Sequence, residues 1–157
     1  MSLDALATDT HDAFQQVYRD AFQGDPLSNP RLRVEVVEAA MAGDTPTLVL
    51  ITPWTISGMA FPPDGELPDS ILVGLRSHPM LANELPGLGS YHSISLMSDV
   101  SKLESPASAR SVAKAVAPSF REGIVAARAE LTVPDPSRRA LFRTLSPGER
   151  GSFDRPG

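Results

Sequence analysis

The sequence predicts an α+β fold: an antiparallel sheet of about five strands packed with an N-terminal helix and a helix in the C-terminal half, followed by an extended basic tail. Three observations predict it. Short alternating or wholly apolar runs crowd residues 33–97, helical periodicity appears only before and after them, and no apolar period continues beyond Leu131. Residues 1–130 therefore read as one globular domain and 131–157 as the tail.

The first helix is expected from Asp9 to Phe22, where Phe14, Val17, Tyr18, Ala21 and Phe22 keep the spacing of one buried face. Asp9 or Thr10 would cap its start, and Gly24-Asp25-Pro26 would end it. Arg33 to Met41 alternates as a half-buried strand does, and Ala42-Gly43-Asp44-Thr45 supplies a turn. Thr47 to Thr52 is apolar on both faces, which predicts a central strand. Thr55 to Phe61 alternates again until Pro62-Pro63-Asp64-Gly65 stops it, so consecutive strands on tight turns predict an antiparallel meander. Ile71 to Leu75 and Tyr91 to Met97 complete the strands, with a turn-rich stretch at residues 84–89 between them. From Pro106 the period is helical, through Ala109, Val112, Ala113, Val116, Phe120, Ile124 and Ala127. Ser105 followed by proline is a good helix start. Pro118 removes one helical hydrogen bond, which predicts a kink or break near Ala117.

Composition narrows the function. With 157 residues, 41% apolar and 21% charged, the chain is sized for one soluble domain, and its 15 prolines favour short elements and prominent loops. Its net charge of −5 opposes binding to nucleic acid. Having no cysteine, it has no disulfide, thiolate metal site or cysteine nucleophile. The first residues lack the basic start and apolar run of a secretory signal, and no stretch is long and apolar enough to span a bilayer, so a cytoplasmic location is expected. Charge is divided unevenly. The tail carries five arginines (Arg138, Arg139, Arg143, Arg150, Arg155) against three acids, net +2, and the first 130 residues are net −7.

Chemistry-bearing patterns are few. His11, His78 and His92 lack the helical spacing of a metal site. His78 and His92 could meet across neighbouring strands, although two separate histidines is the simpler reading. Gly87-Leu88-Gly89 is too short to cradle phosphate, and no nucleophile elbow, Walker loop or zinc-protease motif occurs. Ser90 to Ser101 is serine-rich, yet His92 and Asp99 fall on opposite faces of a strand, which argues against a triad with either.

Two segments stand out as binding candidates. Thr52-Pro53-Trp54 carries the single tryptophan at a junction of two strands, where it either closes the core or anchors a partner. Ser137-Arg138-Arg139-Ala140-Leu141-Phe142-Arg143 has the pattern of a twin-arginine signal, but lies near the C-terminus with nothing apolar behind it. As a partner-binding motif, Arg138 and Arg139 would meet carboxylates or aromatic faces, with Leu141 and Phe142 adding apolar area.

Val49-Leu-Ile-Thr-Pro-Trp54 with the strand to Ala60-Phe-Pro-Pro63, the run Ser93 to Ala109, and Ser137 to Arg143 together resemble the HybE/HoxT/HupJ group of NiFe-hydrogenase assembly chaperones. Each segment is short, but their order and spacing are specific, and the resemblance covers about Asn29 to Arg143. It implies a binding protein, not an enzyme, that holds the precursor of a large or small hydrogenase subunit until cofactor insertion and assembly or export are complete. Some clients of the group carry a twin-arginine signal on the small subunit, which such a chaperone would engage. Some relatives add a rubredoxin-like module with cysteine ligands; this chain has no cysteine, so no iron or other cofactor is expected. Thr55-Ile56-Ser57-Gly58-Met59 is more polar than the apolar run associated with many members, so the client surface could differ. Two other readings remain open at this point: a module for the twin-arginine signal of another exported redox enzyme, and a small serine hydrolase using His92.

Overall fold

A strand that is apolar on both faces requires a cover on each. The computed structural model, which describes residues 2–131, supplies one helix per face. In chain order its elements are α1 (Leu3–Val17), a π-helical turn (Tyr18–Phe22), β1 (Glu35–Ala42), β2 (Thr45–Ile51), β3 (Ile56–Ala60), β4 (Ser70–Val73), β5 (Arg76–Pro79), β6 (Leu81–Leu85), β7 (Gly89–Met97) and α2 (Pro106–Leu131). Five strands form an antiparallel sheet in the order β1-β2-β3-β7-β6, and β4 and β5 form a separate hairpin.

Alternation along β2 sorts its side chains between the two helices. Leu48 and Leu50 join Leu6, Val34, Met59 and Tyr91 on the α1 side. Val49 and Ile51 join Ile56, Ala109, Ala113 and Ala117 on the α2 side. Further along α2, Phe120, Ile124 and Ala127 cover Ala60 and Ile94, and the β4–β5 hairpin closes that core with Ile71 and Val73. Small residues decide how closely α2 approaches. A Cβ at Gly58 would lie 2.8 Å from ring atoms of Phe120, so the ring occupies the space that the missing side chain leaves. Gly123 likewise brings the helix backbone against the Leu72 carbonyl of β4.

Several expectations need correction. The first helix begins at Leu3, not near Asp9, because the Ser2 hydroxyl accepts from Ala5 N at 3.0 Å and caps it. Thr10 is buried inside the helix and donates back to the Leu6 carbonyl at 2.8 Å. The strand apolar on both faces is where it was expected: β2 lies inside the sheet, between β1 and β3. Ile71 to Leu75 does not enter the main sheet; its core is β4 of the side hairpin. The fifth sheet strand is β6, which a periodicity reading passes over because residues 81–84 are exposed at an edge and show no apolar alternation. The meander therefore stops at β3, after which the chain crosses to the far edge and returns as β7 between β3 and β6. Pro118 does not break α2. Pro118 and Lys114 are both exposed, so the carbonyl that loses its partner faces water. The expected cap of α2 is present, with Ser105 Oγ accepting from Ser108 N at 3.1 Å.

Three arginines on one side of α2 fasten it to β1 and the loops beside it. Arg110 reaches both oxygens of Glu35 at 2.9 and 3.0 Å, and Arg121 lies 3.4 Å from Glu38. Glu38 sits at a bulge in β1 with a positive φ of 54°. Arg128, near the end of the helix, binds Asp44 of the β1–β2 turn and Asp64 of the loop after β3, each at 2.7 Å, and the Glu66 carbonyl at 2.9 Å.

That clamp has a pH signature. Hydrogen bonds from Arg128 hold Asp64 below the usual carboxylate range and lower Asp44 to about 2. A carboxylate with a depressed folded value stabilises the fold above its unfolded value of 3.8 and ceases to do so as the pH falls toward 2. Thermal melts of Arg128→Met should show a Tm below wild type near neutral pH, with the gap narrowing across that acid window. A gap of constant size would assign Arg128 a packing role instead.

Candidate functional site

Trp54 lies where four segments meet at one end of the sheet. The turn that carries it is built by Thr52, whose backbone N–H donates to the Thr55 carbonyl at 2.9 Å and whose hydroxyl donates to the same carbonyl at 3.0 Å. In return Thr55 N donates to the Thr52 hydroxyl at 3.0 Å. Thr52 and Pro53 are buried, and Trp54 is half-buried. Of the three, Trp54 alone keeps solvent-exposed surface.

The indole is stacked. Phe22 lies parallel to it at a centroid separation of 4.0 Å and an angle of 10°, and the Tyr18 ring runs parallel at 6.4 Å. Both rings come from the π-helical turn at the end of α1, a local widening of the helix that often accompanies functional sites. Parallel aromatic pairs of this kind contribute roughly 0.5–1.5 kcal/mol beyond their buried area. Leu27, in the linker that follows, is 83% exposed. The result is a stacked aromatic platform whose indole is only half covered.

Asn29 ties the platform to the rest of the molecule. It is 4% exposed, its backbone N–H donates to the Pro53 carbonyl at 2.7 Å, and its amide nitrogen donates to the carbonyls of Val100 and Leu103, both at 2.9 Å. Its side-chain oxygen accepts from Arg31 N at 2.9 Å. One residue thus joins three segments: its side-chain amide holds the linker before β1 to the loop between β7 and α2, and its backbone N–H holds the Trp54 turn. Next to the turn, the Thr55 hydroxyl donates to the Met97 carbonyl at 2.9 Å, and Ser95 and Ser98 share a hydrogen bond of 2.8 Å.

The sequence pattern singles out Trp54 but not its setting. Tyr18 and Phe22 are legible as one face of a helix, yet nothing in the spacing pairs them with residue 54. Asn29 lies in a proline-bounded loop with no periodicity, so its only signal is an amide side chain between turn residues. Arg138, Arg139, Leu141 and Phe142 lie outside the described residues.

Catalytic and metal chemistry find little support in the geometry. His78 stands opposite Ile71 in the side hairpin, whereas His92 stands opposite Ala60 and Ala82 in the main sheet, so the two are not on neighbouring strands. The Nδ1 of His92 is buried without a hydrogen-bond partner among the described residues, and burial lowers the imidazole's pKa. Asp99 accepts from Ser101 in the loop after β7, and makes no hydrogen bond to His92. No group of three histidine or acidic side chains placed to hold a metal occurs among the described residues. No described helix is long and apolar enough to cross a membrane.

Replacing Asn29 by alanine removes two donors from enclosed carbonyls, each loss costing roughly 1–3 kcal/mol. Denaturant unfolding of Asn29→Ala should show that destabilisation, together with a blue- or red-shifted Trp54 emission in the folded protein. An unchanged spectrum and midpoint would mean that the platform does not depend on this amide.

Comparison with curated proteins gives no match. Among solved structures, the solution structure of HybE from Escherichia coli is similar, with 22% identity, a TM-score of 0.55 and 77% of each chain covered. That likeness concerns the fold. The family model described as NiFe-hydrogenase assembly, chaperone, HybE matches residues 5–144, which include most of α1, every strand, α2 and the arginine-rich segment. The chain therefore belongs to the HybE family of NiFe-hydrogenase assembly chaperones.

Proposed function

We propose that this chain acts in the cytoplasm as a chaperone that binds the precursor of a NiFe-hydrogenase subunit and holds it until cofactors are inserted and assembly or export can proceed. The family match over residues 5–144 carries this reading. It is a binding function without catalysis, and the aromatic platform is a suitable place for it. A half-covered tryptophan fixed by stacking loses little conformational freedom on binding, which is what an anchor residue needs. Thr52 and Pro53 support the anchor from within. The second contact is the segment with Arg138, Arg139, Leu141 and Phe142, whose guanidinium groups suit carboxylates and aromatic faces. The twin-arginine signal of a small subunit is a candidate target for the same chaperone.

Timing follows from differential affinity. A chaperone that binds the unfinished subunit better than the mature one shifts that subunit toward the held state and lets go when maturation removes the preferred surface. No catalytic step is needed.

Trp54→Ala tests the platform. Because the indole is half-buried and not enclosed, the variant should fold, and its affinity for a purified precursor subunit should fall at least tenfold, which is about 1.4 kcal/mol. Phe22→Leu should give a smaller loss in the same titration. Wild-type affinity in a folded Trp54→Ala protein would move the contact elsewhere. The tail is separable on this account: a chain ending at Leu131 should keep the wild-type circular dichroism spectrum, and an unfolded product would assign the last residues to the core.

A further inference from the structure

β1 is the outermost strand on one side of the main sheet. An outermost strand leaves one row of backbone N–H and C=O groups without a strand partner. The second half of β1 is blunted, because its register to β2 shifts between Val37 and Ala40 and Glu38 has a φ of 54°. The first half stays regular, with Glu35, Val36 and Val37 opposite Ile51, Leu50 and Val49, and Arg33 and Val34 lead into it.

A cleft of about 770 Å³ lies along this regular stretch. It is bounded by α1 at Ala7 and His11, by the start of α2 at Ala107 and Arg110, and by residues 33–36. The two helices cover opposite faces of the sheet, so the cleft is a slot along the sheet edge with a helix on either side. Its lining mixes apolar and polar groups, and its charge is mainly positive. Arg33 is exposed and makes no ion pair with a described residue. Glu35, the one acid in the lining, is already engaged: Arg110 Nη1 donates to both of its oxygens at 2.9 and 3.0 Å. The other donors of the Arg110 fork suit a second carboxylate. This cationic spot belongs to a body whose first 130 residues are net −7.

Two features therefore define what fits. Open backbone groups on a strand edge are matched by another extended backbone, and guanidinium groups are matched by carboxylates. A small anion would satisfy only the second. We propose that the slot binds an extended acidic segment of a partner protein, which adds as a strand along residues 33–37 and places a carboxylate between Arg33 and Arg110. Alternation puts Arg33 on the α2 side with Glu35, and Val34 and Val36 on the α1 side. The acidic side chains of the segment thus point toward α2, and the alternate ones meet Ala7 and Thr8 of α1. Pairing stops at the bulge, so the bound stretch is roughly 16 Å long at about 3.3 Å per residue. The slot includes neither Trp54 nor its stacking partners, and the inference holds whatever the partner's identity.

The probe is a short, end-blocked peptide that alternates glutamate with threonine, titrated into the full-length, nitrogen-15-labelled protein. Amide shifts should cluster at residues 33–37, Ala7 and Ala107. Arg33→Glu, an exposed position that the fold does not use, should weaken binding at least tenfold, as should replacing the peptide's glutamates by lysine. N-methylation of alternate peptide amides keeps the charge but prevents strand pairing, and in one of the two possible phases it should abolish the shifts. Absence of binding, shifts centred on another surface, or wild-type affinity in Arg33→Glu would overturn the proposal. Equal binding of both N-methylated peptides would reduce the contact to charge alone, and equal shifts from free glutarate would make the slot a small-anion site; either result contradicts it. Sedimentation of the peptide-free protein should show a monomer whose edge is open, and a dimer that the peptide dissociates would assign the edge to a second copy instead.

Discussion

The seating of Phe120 in the space left by Gly58 sets the spacing between α2 and the sheet, and much of the molecule follows from it. A ring atom 2.8 Å from where a Cβ would be leaves no room for any side chain at residue 58. Packed interiors transmit such constraints because they have few voids to absorb a shift. Ala109, Ala113 and Ala117 continue the close approach toward the start of the helix, and Ile124 and Ala127 continue it toward the end. At 26 residues, α2 is roughly 39 Å long, so its two ends lie near different surface features. The start follows the loop whose carbonyls hold Asn29 and, through it, the Trp54 turn. The end carries the Arg128 clamp. A displacement of α2 would disturb both.

The proposed holding function carries a physical requirement that the Trp54 platform is suited to. Its binding surface must keep exposed apolar area without collapsing on itself. At the platform, stacking against Phe22 and Tyr18 fixes the indole and leaves part of it open, and the Thr52 hydroxyl and the Asn29 backbone N–H satisfy the backbone of the turn beneath. The exposed rim and the satisfied interior are separate layers of the same site. The one orphaned buried side-chain atom among the described residues, Nδ1 of His92, lies on β7, away from that turn.

Much of the fold was legible because it rests on periodicity. The double-sided apolar character of residues 47–52 announced a strand covered on both faces, and the spacing from Ala109 to Ala127 announced the buried stripe of α2. What was not legible rests on other physics. β6 is an exposed edge strand defined by its backbone pairing to β7, so its side chains carry no pattern. Pro118 signals a break, but on an exposed face water satisfies the carbonyl it frees. The early start of α1 depends on one serine cap. At the candidate site, Trp54 was conspicuous by its rarity. Asn29, Tyr18 and Phe22 acquire their roles only through contacts with residues distant in sequence, so they were silent there. The family resemblance came from short motifs between about Asn29 and Arg143, and the family match over residues 5–144 extends it back through most of α1.

The central claim is that this protein holds an unfinished hydrogenase subunit, and the most direct measurement is capture of its partner. The tagged full-length chain would be recovered from cells making a NiFe-hydrogenase, and co-purified proteins identified by mass spectrometry with their processing state. The account predicts recovery of a subunit in its precursor form and depletion of the mature form. Recovery of only mature enzyme, or of no hydrogenase subunit at all, would contradict it.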